Sequence, residues 1–222
     1  MKTRRHPTNP NWLKRKGAAI RLVAITGLIA VTTAACISRP PVSQDNICEI
    51  YRQKPGWYKD SVKAARYWKS NLHVPMAIMR QESAFRARAK PPMRYFLGFI
   101  PYGRASNAYG YAQALDSTWA QYRREAGNLL SQRNKFDDAI DFIQWYMHKT
   151  ALANKVAKTD AYNQYLNYHE GQGGFARGSY KNKRWLLNVA SRVERRAANY
   201  RAQLASCKAE LDQRASRWSL FN

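Results

Sequence analysis

Apolar residues return every three or four positions near the C-terminus: Leu186, Val189, Val193, Ala197, Tyr200, Leu204, Cys207 and Leu211. Helical geometry puts such a series on one stripe, and a helix this long must lay that stripe along other elements. The stripe therefore predicts a long C-terminal helix packed on a helical body. Arg192, Arg195, Arg196 and Arg201 fall off it, either as a solvated face or as one that meets a polyanion. Val62, Ala65, Tyr67 and Trp68 predict a helix over 58–72. Pro75 suits the first turn of the next, which carries Met76, Ile78 and Met79 up to Phe85. Phe136 to Ala153 reads as another, with Asp137 and Asp138 in the first turn, where acids complement the helix dipole. No alternating run long enough for a sheet is visible, and a small hairpin fits only within 94–112. The expected fold class is mainly α, in one domain.

The charge balance narrows the partners. Lys and Arg number 38 against 14 acids, for a net +24. Seven of those basic residues and no acid lie in 1–35, so the remainder still carries +17. Such a field draws a protein to nucleic acid, anionic lipid or carboxylate-bearing cell wall. The basic stretch 2–21 runs into the uncharged Leu22 to Ala35, which ends Thr33-Ala34-Ala35-Cys36. At 14 residues it is shorter than the roughly 20 a spanning helix needs, and it has the layout of a secretory signal peptide. The junction resembles a bacterial lipoprotein cleavage site, with Cys36 acylated as the first mature residue, although Thr33 stands where Leu is usual. The expected organisation is a signal peptide over 1–35, a lipid-anchored Pro/Ser-rich linker over 36–44, and one domain over 45–222 in the cell envelope. Export argues against nucleic acid as a partner.

With Cys36 set aside, Cys48 and Cys207 remain. In an oxidising compartment two leftover cysteines predict a disulfide; the alternative is two buried thiols. Cys207 falls on the buried stripe, as a bridge to the N-terminal region requires. The four histidines show no metal-ligand spacing, and no Ser/His/Asp motif or phosphate-binding glycine loop is present. No metal or cofactor is implied.

One acid stands out. Glu82 follows the apolar turn Ile78-Met79 and opens Glu82-Ser83-Ala84-Phe85, with Ala89 four residues on. Asn107-Ala108-Tyr109-Gly110-Tyr111-Ala112-Gln113 and Asn167-Tyr168-His169-Glu170-Gly171-Gln172-Gly173 follow in order. Together these resemble the three motifs of the soluble lytic transglycosylases, enzymes of lysozyme-like fold that cut peptidoglycan glycan strands. The resemblance covers 58–190. It implies Glu82 as the catalytic residue and Ser83, Tyr111, Gln113, Tyr168 and Glu170 around the substrate.

Three departures mark this chain. Lys90 to Ser106 is an insertion between the first two motifs, either a wall of the glycan cleft or a segment packed on the domain. The family's intervening Ser has no aligned partner, Ser106 being the candidate. His169-Glu170 replaces Asn-Ala. Ordinary glycosidases use two carboxylates. The resemblance implies that Glu82 alone, kept protonated by an apolar setting, gives a proton to the bond after N-acetylmuramic acid and then takes one from that sugar's C6 hydroxyl. Two rivals remain: lysozyme-type hydrolysis with Glu170 as second carboxylate, and a wall-binding module without activity. Asp116 reads as the N-cap of a helix opening at Ser117.

Overall fold

A computed structural model describes residues 39–219. Cys36 and the predicted signal peptide lie outside the described residues, as do the first three positions of the predicted linker. Seven helices and one small hairpin follow in chain order: α1 (Ile47–Gln53), α2 (Pro55–Tyr67), α3 (His73–Ser83), β1 (Met93–Phe96), β2 (Ile100–Arg104), α4 (Asp116–Glu125), α5 (Phe136–Asn154), α6 (Ala161–Ala176) and α7 (Arg184–Ser219).

The α7 stripe behaves as its spacing demands. Leu186, Val193, Ala197, Tyr200, Leu204, Cys207 and Leu211 are all buried, and Val189 is partly so. They pack against α1, α3 and α6, which makes α7 the spine of the domain. Cys48 and Cys207 form the predicted disulfide across a sequence separation of 159. In the chain-entropy account, closing such a loop contributes about 5 kcal/mol by restricting the unfolded chain. Polar contacts finish the junction: Tyr58 donates to Asp212 at 2.6 Å, and the Ile47 amide donates to Gln203 at 2.9 Å.

The aromatic residues are mostly core. Trp57 of α2 stacks on Phe136 of α5 at 4.1 Å between ring centres and also touches Phe85 and Tyr111. One ring thus seats the segments after α3 and before α4 on the same floor. Helix boundaries differ from the sequence reading in instructive ways. α2 starts at Pro55, which is pre-organised for a first turn. α3 stops at Ser83 because Ala84 and Phe85 both take left-handed φ, at +50° and +56°. Helix α4 begins at Asp116 itself, so Leu115 rather than Asp116 is its N-cap; the Asp116 carboxylate instead pairs with Arg133 at 2.7 Å. The insertion does form a hairpin, over 93–104, with Met93 opposite Arg104 and Phe96 opposite Ile100.

Candidate active site

The three motifs are far apart in sequence and tied together by a few hydrogen bonds. The carbonyl of Ala89, which closes the first motif, accepts from the Gly110 amide at 3.0 Å and from Gln113 Nε2 at 2.9 Å. The carbonyl of Ala112 in the second motif accepts from the Tyr168 hydroxyl at 2.6 Å. Tyr165, one turn before Tyr168 on α6, donates its hydroxyl to Glu82. The circuit is closed.

Each joint has a local cause. Gly110 takes φ +82°, and a Cβ there would sit 2.1 Å from the Arg133 carbonyl oxygen, so only glycine fits. Arg133 clamps the same loop: its carbonyl accepts from the Tyr111 amide at 3.1 Å, and its guanidinium donates to the Ala114 carbonyl at 2.9 Å. In α6 the helix kinks at Gly171, with φ +74° and ψ 160°. Asn154 braces the kink by donating to Asn167 Oδ1 at 2.6 Å and to the Gln172 carbonyl at 3.0 Å.

Glu82 lies on the last turn of α3 and is half-buried. Protein crowds the carboxyl while part of the residue still reaches solvent. Desolvation pushes its pKa up to about 7, against the opposing hydrogen bond from Tyr165. No other carboxylate among the described residues acts on it. Burial raises the hydroxyls of Tyr165 and Tyr168 as well, with Glu82's charge adding to each, so both remain proton donors at neutral pH. Tyr146 packs on Tyr168 with ring centres 5.1 Å apart, fixing it from behind.

Glu170 is a different kind of acid. Both its oxygens accept from Lys183 Nζ at 2.8 Å, Ser179 donates to it, and His169 Nδ1 lies 3.0 Å away. Burial alone would raise this carboxyl, but the bonds from Lys183, Ser179 and His169 outweigh it and bring the pKa to about 2. Glu170 is therefore a locked anion holding the kink to the start of α7, rather than a group facing sugar or water.

Other predicted contacts also move. Tyr111 is 1 % exposed and packed among Trp57 and Phe136. Ser83 is 1 % exposed, and its hydroxyl donates back to the Met79 carbonyl at 3.2 Å. Gln113 and Tyr168 reach the circuit, but as braces between motifs. Ser106 only caps the Ala108 amide, on the exposed side of the loop. Cavities of about 540 and 1050 Å³ lie elsewhere, the first beside His73 and Arg201, the second beside Asp60 and Asp137, and Glu82 lines neither. Tyr165 is the residue that the sequence reading missed; its signal was a second tyrosine three positions before Tyr168, on the same helix face.

A family model described as a transglycosylase SLT domain matches residues 24–207, most of the chain. The chain belongs to the transglycosylase SLT domain family. Its mainly α architecture is the lysozyme-like fold of that family, which groups lytic transglycosylases acting on peptidoglycan in the cell envelope. No curated protein and no solved structure matches it.

Proposed function

We propose that this SLT-family chain is an exported peptidoglycan lytic transglycosylase in which Glu82 serves first as acid and then as base. Protonated Glu82 gives its proton to the oxygen linking N-acetylmuramic acid to the following N-acetylglucosamine. The C1–O bond breaks, and the acetamido oxygen of the muramic acid closes on C1. The C6 hydroxyl then attacks C1, displacing the acetamido oxygen to restore the N-acetyl group, and gives its proton to the Glu82 carboxylate, leaving a 1,6-anhydro end and a restored acid. No water is consumed. The observation that carries this reading is a half-buried carboxyl inside the three-motif circuit, hydrogen-bonded by Tyr165 and with its pKa raised to about 7, which supplies a ready acid at neutral pH. Tyr165 orients that carboxyl, and Gln113 and Tyr168 hold the loops that flank it. The chain would work in the envelope, held to a membrane through lipid on Cys36.

Hydrolysis through Glu170 is the weaker reading, because Lys183, Ser179 and His169 together occupy both of its oxygens and make it a poor base for activating water. The test is mass spectrometry of soluble products from sacculi digested by purified protein. Anhydro-muramic ends are expected. Reducing ends would establish hydrolysis, and sacculi bound but undigested would establish a binding module.

A further inference from the structure

The β1–β2 hairpin has no part in the circuit around Glu82, and every feature of it is unusual for a surface segment. Both strands are exposed along nearly their whole length, on both faces of the ribbon. Two strands alone are marginal in water, and this pair carries its apolar residues outward. Tyr95, Phe96, Leu97, Phe99, Ile100 and Tyr102 all stand in solvent, with Leu97 and Phe99 each about 70 % exposed. A cluster of that kind on a soluble domain marks a contact surface.

We propose that this hairpin is a membrane-contact finger, seating its tip in the interface of an anionic lipid bilayer. Its chemistry selects that occupant over others. The tip, Phe96-Leu97-Gly98-Phe99-Ile100, carries no charge. Leucine and isoleucine offer no flat face for a pyranose, whereas an acyl boundary accepts aliphatic and aromatic groups alike. Tyr95 and Tyr102 sit one and two residues behind the tip, where amphipathic rings favour the headgroup level. Behind them the charge is all of one sign. From Ser83 to Leu115 there is no Asp or Glu, while Arg86, Arg88, Lys90, Arg94 and Arg104 are all exposed. Anionic headgroups attract that collar. The same collar would set a second copy's hairpin against like charge. The contact is independent of Glu82's chemistry and separate from the lipid expected on Cys36: it would set which face of the domain meets the bilayer.

The test uses the full chain with an environment-sensitive fluorophore on Leu97→Cys, and a parallel sample labelled at Leu129→Cys, an exposed apolar position outside the hairpin. The parent chain, labelled alongside, subtracts any signal from Cys36. With vesicles of equal parts phosphatidylglycerol and phosphatidylethanolamine, the Leu97 label should shift to the blue and brighten roughly threefold, as a group entering the interface does. The Leu129 label should stay as in water, and Arg94→Glu with Arg104→Glu should remove most of the Leu97 response. A Leu97 label that remains wet on these vesicles overturns the proposal. So does an equal response on pure phosphatidylcholine, a response that needs added glycan fragments, or one that grows with protein concentration without lipid. The last two would assign the finger to the substrate or to a second copy.

Discussion

Glu82 and Glu170 are both acids on helices beside the same motif circuit, and their surroundings drive them in opposite directions. Glu82 has one hydrogen-bond donor, Tyr165, and too little water; its proton is held up to about pH 7. Glu170 has Lys183, Ser179 and His169, and gives up its proton near pH 2. Burial is present at both sites and decides neither alone. What separates an exchangeable proton from a structural anion is the number of donors aimed at the carboxylate. In this domain one carboxyl left short of partners is the acid, and the other beside the circuit is tied up.

The sharpest way to break this contrast is to neutralise each acid in turn. Glu82→Gln should reduce release of soluble muropeptides about a thousandfold, whereas Glu170→Gln should stay within about tenfold of wild type, both measured by turbidity loss of sacculi. Stability should respond with opposite signs. The Glu170 pKa is lowered in the fold, so its contribution is present above the unfolded value and fades as pH falls toward 2. Its side chain is 5 % exposed but that of Lys183 is 41 % exposed, so water screens the pair from the lysine side. Glu170→Gln should accordingly cost about 2 kcal/mol at pH 7 in urea unfolding, shrinking toward zero below pH 3. The Glu82 pKa is raised, so the fold loses stability as pH climbs from about 4.5 through 7. Glu82→Gln should therefore be the more stable protein at pH 8, by about 1–2 kcal/mol, with the gain gone at pH 4. The smallest effect belongs to Tyr165→Phe. Losing the donor that favours the ionised form should move the Glu82 titration upward by a fraction of a pH unit, read by carboxyl NMR, with a rate loss below about tenfold.

Periodicity makes much of this molecule legible in its residues alone. The α7 stripe stands out because burial on one face leaves a 3.6-residue signature, and the Phe136 helix, buried without a break from Phe142 to Met147, shows as a long apolar run behind two acids. The end of α3 does not, since nothing in Ala84-Phe85 announces two left-handed residues; the packing of Phe85 on Trp57 accompanies them. Helix α6 is hidden by its glycines and polar residues, and its kink needs Asn154, from another helix, to hold it. The site divides the same way. Motif order points to Glu82, but the role of Glu170 depends on Ser179 and Lys183, which lie 9 and 13 residues further on and return only after the chain turns. Tyr111 looks available as an aromatic beside the second motif, and only the placement of Trp57 and Phe136 shows it to be core.

The central claim is that one carboxyl both gives and retrieves the proton, with no second acid taking part. The pH dependence of kcat/KM for release of anhydro-muropeptides between pH 5 and 9 tests it most directly. A single descending limb with its midpoint near 7, shifted by Tyr165→Phe and unchanged by Glu170→Gln, is the predicted result. A bell whose ascending limb disappears in Glu170→Gln would show that a second ionised carboxylate takes part, and would contradict it.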